Sequence, residues 1–82
     1  MHSPLIRSLA EQFLARAAAQ RWKGAVADDR AVEFFLGAWT GASLVSPKDP
    51  AVIGLGMFTT MVLPSRGVKE LKKIVQTEEP ST

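Results

Sequence analysis

The residues of this chain that could carry chemistry are few. There is one histidine, His2, next to the N-terminus, and there is no cysteine and no tyrosine. Disulfides, thiolate metal sites and cysteine nucleophiles are therefore excluded. A Ser–His–Asp arrangement would need a terminal His2 held rigidly, which its position opposes. The carboxylates of the expected folded part are Glu11, Asp28, Asp29, Glu33, Asp49 and Glu70. Only Asp28 and Asp29 are adjacent, and capping of a helix N-terminus accounts for them without chemistry. One histidine and scattered acids do not supply a metal ligand set. The segment GLGMFT, residues 54–59, begins like a phosphate-cradling loop. It lacks the third glycine, a following lysine and a strand–turn–helix context. The chain thus reads as non-enzymatic, with no cofactor, no metal and no small-molecule substrate.

A second set is electrostatic. Arg66, Lys69, Lys72 and Lys73 recur at helical spacing near the C-terminus. They form either an ordinary solvated face or a contact surface for an anion, nucleic acid or an acidic protein. No aromatic residue interleaves with them, which argues against stacking of single-stranded bases. Lys and Arg number ten against eight Asp and Glu, for a net charge of +2. Leaving out Glu78 and Glu79 of the terminal TEEPST raises this to +4, ten minus six. That is weaker than the basic footprint of a dedicated nucleic-acid binder. Glu33 is the one charge in residues 31–45. It is either solvated near a helix mouth or a buried partner of Arg7, Arg16 or Arg30.

The elements that must position these residues read as all-α. A chain of 82 residues makes one domain. We assign residues 1–76 to a four-helix domain and residues 77–82, which lack apolar side chains, to a disordered tail. Ser3-Pro4 is an N-cap followed by proline at the first helical position. Ile6, Leu9, Ala10, Phe13, Leu14 and Ala17 then mark one face of a long amphipathic helix 1, residues 4–23, with Gly24 as its C-cap. GAVADD reads as a connection whose Asp28 or Asp29 caps helix 2. That helix, AVEFFLGAWTGASLV at residues 31–45, is apolar on nearly every side and is expected at the centre of the domain. Gly37 and Gly41 lie four apart on it, which suggests that another backbone packs closely there, within the fold or across an interface. SPKDP is a turn, with Asp49-Pro50 repeating the cap-plus-proline signature. Residues 51–63, AVIGLGMFTTMVL, read as an apolar helix 3; a β-hairpin is the alternative, since Val, Ile, Phe and Thr favour strands. Pro64 ends that element and Ser65 caps a short basic helix 4, residues 66–76, which buries Val68, Leu71, Ile74 and Val75.

Two short amphipathic neighbours do not obviously cover the apolar side chains between residues 31 and 63. The excess suggests burial against a second chain, most simply a two-fold copy. The expected protein interface is Gly37, Trp39, Gly41, Met57 and Met61, with Trp22 at its edge. The leading expectation is a small protein-interaction module, dimerising or binding another protein. From size alone, such chains are often accessory products of phages or mobile elements. The alternative is a nucleic-acid-associated protein using the basic face of helix 4, with Arg16 and Lys23. A helix-turn-helix drawn on helices 2 and 3 fails, because helix 3 offers no Arg, Lys, Asn or Gln to a base edge. Membrane association ranks last. The longest apolar helix would span roughly 20 Å of a ~30 Å hydrocarbon core, and no helix sets a broad apolar face against a basic one. No cleavable leader pattern is seen at the N-terminus, and a cytoplasmic location is the default expectation.

Overall fold

The computed structural model describes residues 3–77, which are mostly helical with no strand among them. His2 and residues 78–82 lie outside the described residues. Four helices follow in order: α1 at Pro4–Gln20, α2 at Gly24–Val45, α3 at Pro50–Arg66 and α4 at Val68–Thr77. The hairpin alternative for residues 51–63 is thereby excluded. The molecule is a slab of 35 × 34 × 22 Å. Its short dimension is about two helix diameters. Among the described residues no single helix is long and apolar enough to cross a membrane, and α3 and α4 meet at 114°.

The helix starts at Ser3 and Asp49 form as their residue types require. Ile6 N–H donates to Ser3 Oγ at 3.2 Å and Ala51 N–H to Asp49 Oδ1 at 2.9 Å, each followed by proline at the first helical position. The end of α1 differs from expectation. It stops at Gln20, and the cap is Arg21 in the left-handed region at φ 60°, not Gly24. Trp22 N–H reaches Ala17 C=O at 3.0 Å and Arg21 N–H reaches Ala18 C=O at 3.3 Å, which closes the helix in a Schellman motif. That motif favours glycine, yet an arginine fills it at a cost on the order of 1 kcal/mol.

GAVADD is not a connection. Its residues are the opening turns of α2, which begins at Gly24 and has no side-chain cap. Asp28 and Asp29 therefore cap nothing on their own helix. Asp28 instead accepts a hydrogen bond from Val68 N–H at 2.9 Å, forty residues away, and so caps α4 from α2. This contact requires Gly67. Its φ of 69° and ψ of −158° fall in a region open essentially to glycine alone. A Cβ there would also lie 2.6 Å from Asp28 Oδ1.

Pro64 and Ser65 do not end α3. The helix is α over Pro50–Met57, widens to π over Phe58–Val62, and returns to α over Leu63–Arg66. Leu63 N–H bonds to Phe58 C=O, one residue beyond the α register. A proline inside a regular α-helix clashes with the carbonyl four residues back. The wider turn just before Pro64 relieves that clash and lets the helix continue. Ser65 donates back to Val62 C=O at 3.2 Å rather than capping α4. The chain finally breaks at Gly67.

The core joins Ile6, Leu9 and Phe13 of α1, Ala31 and Phe35 of α2, Leu55, Phe58 and Leu63 of α3, and Leu71 and Ile74 of α4. Aromatic rings run through it in sequence. Trp22, Phe13, Phe34, Phe35 and Phe58 follow one another with centroid separations of 5.6–6.0 Å. Such pairs add about 0.5–1.5 kcal/mol each beyond area burial. The expectation that α2 is buried on most sides is corrected. Only Ala27, Ala31 and Phe35 are fully buried on it, while Leu44 and Val45 are each 83 % exposed.

Three outcomes are expected in urea titrations. Asp28→Ala should lower stability by about 1 kcal/mol, with Asp28→Asn retaining most of it, and Gly67→Ala should cost about 1–3 kcal/mol. Thr59 Oγ1 is buried and has no hydrogen-bond partner among the described residues. Thr59→Val should therefore raise stability by about 1 kcal/mol.

Candidate functional site

Residues 34–47 and 50–65 carry no charged side chain. At 3.6 residues per turn, Leu36, Gly37, Thr40, Gly41 and Leu44 share one face of α2, and all five are exposed. On α3, Ile53, Met57 and Met61 are exposed as well, at 51 %, 56 % and 67 %. Two shallow grooves flank these α3 side chains. One, of about 320 Å³, lies between α2 and α3 and is lined by Trp39, Ser43, Ile53, Gly56 and Met57 among others. The other, of about 400 Å³, runs between α3 and the start of α1, and Ile6, Gly54, Met57 and Met61 contribute to it. Met57 belongs to both.

The structure thus brings Trp39 and Met57 together along the α2–α3 groove, with Met61 in the second groove, whereas Gly37 and Gly41, two residues either side of Trp39, lie on the opposite face of α2. Trp22 lies elsewhere. It is half-buried at the end of α1, with Arg30 stacked on its ring at 4.9 Å, and Arg16 lies 5.5 Å from the neighbouring Phe34 ring. Tight packing within the fold is not the reason for Gly37 and Gly41. A Cβ at either position would meet nothing within 4 Å. Gly56 has that role: a Cβ there would come within 2.5 Å of the Trp39 ring. No local signal separates Gly56 from Gly54, since the difference arises only when α2 crosses α3.

The basic residues of α4 divide. Arg66 pairs with Glu70 at 3.8 Å. Lys69 and Lys72 line a third groove, of about 530 Å³, with Lys23, Asp28, Trp22, Leu14 and several small residues of α1 and α2. Lys73 is not part of that lining. Glu33 is exposed, well inside α2 rather than at its mouth, and lines a cleft with Arg16 and Arg30; Arg7 pairs with Glu11 at 3.3 Å. Among the described residues no three His, Asp or Glu side chains converge on a point.

No protein-family model matches the chain, and no curated protein and no solved structure matches it. Any reading of function therefore rests on these surfaces.

The two glycines of α3 should respond oppositely to alanine. Gly54 has open space around a Cβ, so Gly54→Ala should stabilise by about 0.5–1 kcal/mol through backbone entropy. Gly56→Ala must displace Trp39 and should destabilise by about 1–3 kcal/mol while shifting tryptophan emission. Chemical denaturation followed by fluorescence reads both.

Proposed function

We propose that this chain is a non-enzymatic interaction module that self-associates through the uncharged side formed by the second half of α2 and the outer face of α3. The observation that carries this reading is the exposure of Leu36, Leu44, Val45, Ile53, Met57 and Met61 within segments free of charge. Single exposed apolar side chains are ordinary, but six of them on a small chain, in two segments without charge, are the material of an association surface. Gly37 and Gly41 support the same reading. Each costs about 1 kcal/mol in a helix interior, and neither relieves a contact within the chain. A stripe without side chains lets the backbone of a second helix approach closely. A copy of α2 presents the same stripe, so a two-fold arrangement meets like with like. An interface of standard size, about 800 Å² per partner, would cover about one-seventh of the 5560 Å² surface.

Nucleic-acid association is the weaker reading. Arg66 is engaged by Glu70, and Lys69 and Lys72 face an apolar groove rather than a continuous basic stripe.

Light scattering on a size-exclusion column should give a dimer mass that persists at high salt, because burial of apolar surface is not screened. Met61→Asp and Gly41→Leu should give monomers with unchanged helicity by circular dichroism. A monomer at both salts for the parent chain would overturn the proposal.

A further inference from the structure

The groove at the junction of α1, α2 and α4 shares no lining residue with the α2–α3 surface. It exists because the chain places small residues where three helices converge: Ala17 and Ala18 at the end of α1, and Gly24 and Ala27 at the start of α2. Leu14, Val68 and the half-buried Trp22 complete an apolar floor. At about 530 Å³ it falls within the usual range of small-ligand sites, roughly 300–1,000 Å³.

Its polar residues are of one main kind. Lys23, Lys69 and Lys72 stand at the mouth, all exposed, and none is in an ion pair among the described residues. The lone carboxylate in the lining, Asp28, already accepts from Val68 N–H. Lys23 immediately precedes α2 and Lys69 and Lys72 lie on α4, far apart in sequence, and the Asp28–Val68 contact holds α2 and α4 together. Lysine stems extend apolar walls while their ammonium groups stay in water. The result is an apolar trough with a cationic rim.

We infer that this groove binds a small amphipathic anion, with an apolar body lying along Leu14, Ala18, Trp22 and Val68 and a carboxylate or phosphate head held by Lys23, Lys69 and Lys72. The body loses water contact against the floor. The head takes charge-assisted hydrogen bonds that an alcohol head cannot match. Charge complementarity selects the occupant: a neutral apolar molecule leaves the lysines unused, and a bare anion leaves the floor open.

The test uses the full chain carrying Trp39→Phe, which leaves Trp22 as the single tryptophan. Decanoate, kept below its micelle concentration, is titrated against Trp22 emission. Decanol, inorganic phosphate and a short single-stranded DNA oligomer are run in parallel. Decanoate is expected to give a saturable change, decanol to bind about tenfold more weakly, and phosphate and the oligomer to give none. Lys69→Gln with Lys72→Gln should weaken decanoate about tenfold, and Ala18→Leu should block the trough with helicity intact. Met57→Asp, on the other apolar surface, should leave the titration unchanged. Equal response to decanol would reduce the groove to a greasy surface and overturn the inference. An equal response to phosphate or the oligomer would reduce it to a cation patch, with the same consequence. Insensitivity to the lysine or Ala18 changes, sensitivity to Met57→Asp, or no saturable change at all, would each overturn it too.

Discussion

The hydrogen bond from Val68 N–H to Asp28 is the interaction on which the rest of the arrangement depends. It closes a corner of 114° between α3 and α4, and the turn is open only to glycine at position 67. Without that corner α4 would continue away from the domain, and Leu71 and Ile74 would lose their place in the core. With it, α4 folds back along α1, and Lys69 and Lys72 arrive beside Lys23. One buried face and one surface groove therefore rest on the same short contact. Free carboxylates and peptide N–H groups at a helix start attract one another in any protein. Here the donor helix and the acceptor helix lie forty residues apart, so a local capping interaction has become a tertiary one.

The second constraint is length. At 1.5 Å per residue, the 22 residues of α2 span about 33 Å, against about 26 Å for the 17 of α1. The overhang matters because α2 is apolar along its whole second half. Ala31 and Phe35 find partners in the core, whereas Leu44 and Val45 lie beyond what α1 and α4 can reach. The same mismatch leaves one side of α3 uncovered. Polar residues there would carry no structural cost within the chain, since Leu44 and Met61 are exposed. Their apolar character is not explained by the fold itself, and that places the case for association in the geometry rather than in composition.

Much of the fold was legible because its signals are local. Ser3-Pro4 and Asp49-Pro50 carry both halves of a helix start in adjacent residues, and the spacing of Ile6, Leu9, Phe13 and Ala17 can be read without a partner. The boundaries that failed depend on partners. Asp28 has the chemistry of an N-cap, and it is one, but for a helix that the local sequence does not reveal. Pro64 is a helix stop unless the preceding turn widens, and no residue type in FTTMV announces a π turn. Gly24 suits a C-cap, yet Arg21 closes α1 first because Trp22 N–H finds Ala17 C=O there. The candidate surfaces show the same division. The apolar excess of residues 34–63 was visible as composition, but which side chains are left over was not. Gly37 and Gly41 carry a recognisable spacing and turn out to face solvent. Gly56 has no recognisable signature and receives the Trp39 ring.

The two surfaces differ in the physics that would govern them. Association through α2 and α3 removes apolar area from water and leaves no charge behind, so salt has little purchase on it and stability should rise with protein concentration as mass action favours the dimer. A chain of this size has a thin stability margin, since it buries only about 60 % of its unfolded surface. A second copy covering the overhang of α2 would therefore contribute directly to folding. The groove at α1, α2 and α4 works differently: part of its selectivity lies in screened charge and part in a small apolar floor. The two share a backbone through α2 but no lining residue. A change at Met57 or Leu44 should thus act on assembly alone, and a change at Lys69 or Ala18 on the groove alone. The Asp28–Val68 contact is where the two meet, because it aligns α4 both beside the groove and against the core that Ala31 and Phe35 of α2 also join.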